Sequence, residues 1–182
     1  MYFYTLKRMN IKLFITDIDG VWTDGGMYYD DTYNIELKKF NTSDSAGVLF
    51  LKLAGIKTAI ITGEKSKSVQ RRYLKLQMDE LFMGVKNKVA SADFIRKKHG
   101  LEWNEIAYIG DDINDILLLR KVGLSACPAS AEDYIKKEVD WVLDKKGGEG
   151  VFREFVQKYL QEKNMLGNIL ELYLSTLEKE SK

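Results

Sequence analysis

A chain of 182 residues has room for one domain of roughly 150 residues with a short appendage, which excludes a two-domain enzyme. Its 45% hydrophobic and 30% charged residues are enough for a packed core and a solvated surface, which excludes a disordered chain. Lys plus Arg number 28 and Asp plus Glu 27, so the formal charge of +1 provides no general field for a nucleic-acid backbone or an anionic membrane, and any bound anion must be held by local groups.

Regular structure is predicted to begin with the apolar run Ile11 to Thr16, which ends in Asp17-Ile18-Asp19-Gly20. Met27 to Tyr29 and Ile35 to Phe40 then flank the polar turn Asp30-Asp31-Thr32-Tyr33-Asn34. They predict a hairpin over about residues 26–41, too small to be a cap domain. Beyond it, helical stretches (Ser45 to Ala54, Ser66 to Leu76, Lys88 to His99, Asp112 to Lys121, Ala131 to Glu138) alternate with apolar runs. The runs are Lys57 to Thr62, Leu81 to Met83, Ile106 to Gly110, Val122 to Cys127 and Trp141 to Leu143. Short apolar strands alternating with crossover helices predict an α/β domain over residues 1–160, a Rossmann-like parallel sheet with helices on both faces. In the tail, 161–182, Leu166, Ile169, Leu170, Tyr173 and Leu177 form one stripe of an amphipathic helix. Periodicity leaves open whether that stripe covers its own domain or a neighbouring subunit.

The chain's one cysteine, Cys127, cannot close an internal disulfide, and its opening residues lack an apolar leader of secretory length. No apolar run approaches the ~20 residues that span a bilayer. These features predict a cytoplasmic protein with neither a membrane nor a nucleic acid among its partners.

Chemistry concentrates at predicted strand ends, where open α/β sheets bind ligands. Asp17 and Asp19 lie two apart, so both can face one site as the first strand unwinds. Alone, an Asp-x-Asp is as readily a solvated turn. Three further segments agree with it: Thr62-Gly63 offers a hydroxyl and a close backbone approach, Lys88 opens a helix, and Gly110-Asp111-Asp112-Ile113-Asn114-Asp115 adds carboxylates. Together they are the reagents of phosphoryl transfer. Asp17 is the candidate nucleophile and Asp19 the acid that protonates a departing oxygen and then deprotonates water. Asp17 and Asp111 are candidate ligands for Mg²⁺, which prefers oxygen donors. Lys88 and Thr62 are placed to hold the phosphoryl oxygens.

Asp17-Ile18-Asp19-Gly20-Val21, Thr62-Gly63, Lys88 and Gly110-Asp111-Asp112-x-x-Asp115 resemble, in order, the four motifs of the haloacid dehalogenase-like phosphatases, over about residues 11–155. Trp22-Thr23-Asp24-Gly25-Gly26, Phe40-Asn41-Thr42-Ser43-Asp44 and the segment from Gly147 to Glu154 are similar to the capless branch, which acts on eight- or nine-carbon 3-deoxy-ulosonic acid phosphates. The resemblance implies an aspartyl-phosphate on Asp17, acid–base work by Asp19, and Mg²⁺ held by Asp17, the Asp19 carbonyl and Asp111, with Asp112 and Asp115 behind them. It also implies a homotetramer whose site is completed by a neighbouring subunit. Substrate contacts are expected from Thr42, Gly63, Glu64, Arg72 and Lys75, the last two meeting the substrate carboxylate across a subunit boundary. Gly63-Glu64-Lys65 resembles the nine-carbon enzymes, since eight-carbon ones tend to carry arginine at the glutamate position. The expectation is therefore a nine-carbon, sialic-type 9-phosphate, with the eight-carbon 8-phosphate as the alternative and a non-catalytic module of nucleotide-sugar synthesis behind both. A mutase is disfavoured because no cap-sized insertion separates Asp17 from Lys88.

Several residues have plainer readings. His99 ends the basic run Arg96-Lys97-Lys98 and reads as a solvated helix end. Cys127 reads as a small core residue. The sequon Asn41-Thr42-Ser43 is discounted without a secretory signal. Gly147-Gly148-Glu149-Gly150 is expected to be an active-site loop rather than a flexible turn, whereas Arg71, Arg72 and Lys75 read equally as a solvated helical face.

Overall fold

Six short strands form one parallel sheet in a computed structural model that describes residues 10–33 and 35–180; the opening residues and Asn34 of the expected turn lie outside it. Strand β1 (Leu13–Thr16) lies inside the sheet between β4 (Lys57–Ile61) and β6 (Ile106–Ile109). Beyond β4 is β5 (Glu80–Phe82), and beyond β6 are β7 (Leu124–Cys127) and β8 (Trp141–Val142). The register aligns Thr16 with Ile60 on one side and with Ile109 on the other, so the chain leaves all three strands at one level. Strand order reverses beside β1, and that reversal opens a crevice at the carboxyl ends.

Side-chain alternation explains the burial. Phe14 points into a core with Trp22, Leu51, Phe152, Phe155 and Tyr159, whereas Leu13 and Ile15 point into a second one with Ile95, Tyr108, Leu118 and Ile135. Helices α1 (Asp44–Leu53), α2 (Lys67–Leu76), α6 (Val151–Glu162) and α7 (Leu166–Glu180) serve the first core. The second is covered by α3 (Lys88–Lys98), α4 (Ile116–Leu119) and α5 (Asp133–Lys136). Because both faces are covered, the strands read as unbroken apolar runs.

Some boundaries depart from expectation. The helix expected over 112–121 divides into a 3-10 turn, Ile113–Asp115, and α4, because the Asp112 carboxylate accepts from the Ile113 amide (2.7 Å) and holds the chain out of the helix. The helix expected over 131–138 shrinks to α5. Strand β7 begins at Leu124, since the Gly123 amide donates to the carbonyls of Trp103 (2.8 Å) and Ile106 (3.0 Å), turning the chain first.

The hairpin is present but shorter than its expected arms, as β2 (Tyr28–Asp30) against β3 (Ile35–Leu37), a separate two-stranded sheet. Its turn is held by Asp30, whose Oδ1 accepts from the amides of Thr32 (2.9 Å) and Tyr33 (3.2 Å). The first turns of α7 dock on their own domain through Leu166 and the buried Ile169, while Leu170 and Leu177 further along are exposed. Among the described residues no helix is long and apolar enough to cross a membrane.

Asp44, in the first turn of α1, ties that helix to α6: its Oδ1 accepts from the Arg153 amide at 3.0 Å, and its buried Oδ2 has no hydrogen-bond partner. Burial pushes its carboxyl up to about 6, against the pull of the Arg153 amide and the charges of Arg72 and Lys145. A raised carboxyl favours the neutral form in the folded state. Its stabilising contribution is therefore complete below the ordinary value of 3.8 and is lost as pH rises through about 6. The unfolding free energy of the parent minus that of Asp44→Asn should fall by on the order of 2–3 kcal/mol between about pH 4 and 7 in denaturant titrations. A flat difference would show that Asp44 titrates as an ordinary surface acid.

Candidate active site

Beyond Thr16 the chain wraps tightly around one carbonyl: the amides of Val21, Trp22 and Thr23 all donate to Ile18 O at 2.8–3.2 Å. Trp22, fully buried against Phe152, fastens this loop back to the strand by donating its indole N–H to Thr16 Oγ1 (2.9 Å). Gly20 is required twice over in the loop. Its φ is +75°, and a Cβ there would lie 1.8 Å from Asp111 Oδ2. The loop thereby brings Asp17 and Asp19 beside the carboxylates that follow β6.

Lys88 is the ammonium that Asp17 and Asp115 share. Asn87 caps α3 by accepting from the Ala90 amide (3.0 Å), and this places Lys88 at the helix start with its side chain 1% exposed. Its Nζ lies 2.8 Å from Asp17 Oδ2 and 2.5 Å from Asp115 Oδ1. Burial pushes the lysine down, but the two carboxylates outweigh it and keep the ammonium charged. The Tyr108 hydroxyl also donates to Asp115 Oδ1, and Asp115 Oδ2 accepts from the amides of Asp111 (3.0 Å) and Asp112 (3.1 Å). Asp115 is thus committed at both oxygens.

Asp17 and Asp111 are not so provided. Asp17 Oδ1 and Asp111 Oδ1 are buried without a hydrogen-bond partner among the described residues. Burial lifts the Asp17 carboxyl to about 7, with Lys88 opposing and Asp115 adding, and lifts Asp111 to about 8, with Asp17 and Asp115 adding. Oxygens of Asp17, Asp111 and Asp115 lie within 4.8 Å of one another. Proximity alone would make all three metal donors, yet Asp115 has its lone pairs engaged, which leaves Asp17 and Asp111. Two orphaned carboxylate oxygens with surplus negative charge fit a hard divalent cation. They border a cavity of about 390 Å³ that Asp19, Thr62, Gly63, Glu64, Asn114 and Ser130 also line.

A nucleophilic carboxylate, a second acid two residues on, a lysine and a cation-ready pair of oxygens make a phosphoryl-transfer site. A family model for haloacid dehalogenase-like hydrolases matches residues 80–155. Among relatives, the 3-deoxy-D-manno-octulosonate 8-phosphate phosphatase of Haemophilus influenzae is 37% identical over 85% of this chain and 86% of that protein. The Escherichia coli K12 protein of the same name is 37% identical over 81% and 78%. The chain belongs to the haloacid dehalogenase-like hydrolases. It is a phosphoric monoester hydrolase of the branch without a cap domain. Among solved structures, the Moraxella catarrhalis phosphatase of that name, in complex with magnesium ion, phosphate ion and a KDO molecule, superposes with a TM-score of 0.88 at 31% identity, covering 94% of this chain and 97% of that one. A probable yrbi family phosphatase from Pseudomonas syringae gives 0.89 at 34%, covering 96% and 98%.

The hydrolase brings Asp17, Asp19, Thr62, Gly63, Glu64, Asp111 and Asp112 to one cavity, with Lys88 and Asp115 sealed beneath. Three expected substrate residues do not reach it within this chain. Thr42 and Lys75 are exposed elsewhere, and Arg72 is spent internally: its guanidinium donates to Asn41 O (3.2 Å) and Ser45 Oγ (2.8 Å) and stacks on the Trp22 and Phe40 rings. Arg72 therefore buttresses the loop before α1. The glycine stretch 147–150 also differs from expectation, because it supports the β1 loop and does not line the cavity. The Gly148 amide donates to Val21 O (2.9 Å), and a Cβ on Gly147 would fall 2.0 Å from Gly20 O. His99 is no solvated helix end; its ring pairs with Glu80 Oε1 at 2.8 Å. Cys127 is buried, as expected, and burial pushes its thiol up to about 11.

Sequence reasoning missed Asn114, Ser130 and above all Lys38, whose fully buried ammonium lies 2.6 Å from Asp19 Oδ1. A signal existed in the alternation of Glu36, Lys38 and Phe40 along one face of the hairpin arm, with Leu37 and Lys39 exposed. Asp115, by contrast, makes a direct prediction. Asp115→Ala leaves the Tyr108 phenol and two amides without their acceptor and Lys88 with Asp17 as its remaining carboxylate, so denaturant unfolding should show a loss of about 3–5 kcal/mol. A loss below about 1 kcal/mol would mean that water replaces the carboxylate freely.

Proposed function

We propose that this phosphatase hydrolyses the phosphate monoester of an eight-carbon 3-deoxy-ulosonic acid, the 3-deoxy-D-manno-octulosonate 8-phosphate class, through an aspartyl-phosphate on Asp17. The observation that carries the reading is Asp17 itself, held by Lys88 on one oxygen and unpartnered on the other at the floor of the cavity. Substrate class is supported by the relatives and solved structures named for the octulosonate 8-phosphate, which displace the nine-carbon preference read from Glu64.

In this reading the Asp17 carboxylate bonds to phosphorus as the bond from phosphorus to the sugar oxygen breaks, and the Asp19 carboxyl gives its proton to that departing oxygen. Water then attacks phosphorus and passes a proton to Asp19, the Asp17–phosphorus bond breaks, and orthophosphate leaves. The Thr62 hydroxyl holds a phosphoryl oxygen through both steps, and Lys88 steadies the Asp17 carboxylate from beneath. Asp17, Asp111 and the Asp19 carbonyl would hold Mg²⁺, which would neutralise the phosphoryl charge when bound. Asp112 and Asp115 orient that set, Asp115 through the Asp111 amide.

A nine-carbon substrate is the second reading, favoured by one observation: Glu64 lines the cavity, where its carboxylate can accept hydrogen bonds from sugar hydroxyl or amino groups. A neighbouring subunit in a homotetramer would complete either site, supported by the exposed Tyr29, Tyr33 and Leu37 of the hairpin, with Lys75 the basic residue left to reach across. Light scattering of the active enzyme should report a tetramer, and a fully active monomer would remove that part of the reading.

Phosphate release should be measured for both sugar-acid phosphates with Mg²⁺. The parent should show the higher kcat/KM for the eight-carbon 8-phosphate, and Asp17→Asn should release nothing above background. Glu64→Arg, the residue that the family resemblance pairs with eight-carbon substrates, should widen the preference by roughly 10–150-fold, the worth of one charged hydrogen bond of ~1.5–3 kcal/mol. A parent that favours the nine-carbon ester restores the second reading, and full turnover by Asp17→Asn removes the aspartyl-phosphate.

A further inference from the structure

Lysine is almost never fully buried unless a charge partner accounts for it. Lys38 lies just past β3 on the hairpin, outside the main sheet, and its side chain is 0% exposed. The hairpin's outward side chains, Tyr28, Ile35 and Leu37, are exposed, so Lys38 is not buried by a core that happens to surround the hairpin. It turns inward onto two carboxylates, Asp19 Oδ1 at 2.6 Å and Glu36 Oε1 at 3.2 Å, and its ammonium also donates to Met27 Sδ at 3.7 Å.

Of these contacts the one to Asp19 reaches the cavity. Asp19 stands on the loop after β1, its side chain 28% exposed, where a free carboxylate would sample several rotamers. Among the described residues its two donors meet the same oxygen: Lys38 at 2.6 Å and, more weakly, the Thr23 hydroxyl at 3.4 Å, each on Oδ1. Neither uses Oδ2. One oxygen is thus anchored and the other remains for exchange with a ligand in the cavity that Asp19 lines.

We propose that Lys38 is a positioning residue that orients Asp19 for proton transfer, so that the hairpin supplies part of the acid–base machinery of its own chain. This rests on the proposed role of Asp19. Lys38 does not touch the reacting atoms and acts through the carboxylate it holds. The consequence is selective: an alkyl ester needs its departing oxygen protonated, whereas p-nitrophenolate leaves without a proton.

The test compares kcat/KM, which reports the step that forms the aspartyl-phosphate, for a sugar-acid phosphate and for p-nitrophenyl phosphate. Variants are Lys38→Met, Asp19→Asn and the double variant, with Lys38→Arg as a second probe that keeps the charge but alters the reach. Lys38→Met should lose ~10–10²-fold on the alkyl ester and at least about tenfold less on the aryl ester, the cost expected of a misplaced acid. In the Asp19→Asn background the same change should add less than about threefold on the alkyl ester, because the residue through which it acts is already disabled. Should Lys38→Met fail to fold, Lys38→Arg must show the selective loss in its place. Equal losses on the two esters in whichever variant folds, or full additivity in the double variant, would overturn the proposal and leave Lys38 a hairpin anchor. If Asp19→Asn itself shows equal losses on both esters, it is the acid–base reading that fails, and the two failures are thereby told apart.

Discussion

The structure depends on one buried charge arrangement: a single ammonium, Lys88, shared between Asp17 and Asp115 in a place that water hardly reaches. Three carboxylates gather there, and one lysine cannot neutralise them. The fold resolves the excess unevenly. Asp115 receives Lys88, the Tyr108 hydroxyl and two backbone amides, and is satisfied; Asp17 and Asp111 each keep a buried oxygen with no donor, and burial raises both. Buried unpaired carboxylates are costly in a folded chain unless a cation or a substrate compensates. That cost sits at the sheet's crevice because strand ends can be aligned there without disturbing either core.

Around this centre the chain uses its less regular segments as braces. The loop after β1 is closed on the Ile18 carbonyl, pinned by Trp22, and backed by Gly147 and Gly148, which approach its backbone more closely than any side chain would permit. Arg72 holds the segment before α1 against the same tryptophan, and Asp44 carries the support on to α6. These contacts join elements far apart in sequence around residues 17–24, so the position of the Asp17–Asp19 pair is set by the first core and the loops at its edge.

The hairpin stands apart from the sheet yet is coupled to it. Its outer face shows aromatic and aliphatic side chains to solvent, while its inner face delivers a lysine to Asp19. A capless hydrolase with no large insertion over its cavity gains through this ribbon a charge beside Asp19 that the open sheet edge lacks.

The order of elements, the parallel sheet, the hairpin and the carboxylate-bearing strand ends were all legible in the sequence, because they rest on local rules: apolar runs, helical period and turn residues recur within a few positions of one another. Asp17, Asp19, Thr62, Lys88 and Asp111 could be nominated because each lies next to a strand end or helix start, and strand ends in such sheets converge. Tertiary structure alone decided what each polar group would meet. Arg72 and Lys75 occupy the same helix three residues apart, yet Arg72 meets Trp22, Phe40, the Asn41 carbonyl and the Ser45 hydroxyl while Lys75 stays in solvent, a difference set by where α2 lies against a distant loop. Lys38 was one charged residue among many until the hairpin's fold turned it inward. Asp115 became a satisfied anchor, and the Asp111 carboxylate an unsatisfied acceptor, only when amides and Tyr108 were brought within hydrogen-bond reach of the first and not of the second. Periodicity specifies which face of an element is apolar, but hydrogen bonds between residues distant in sequence depend on Å-scale distances that only packing establishes.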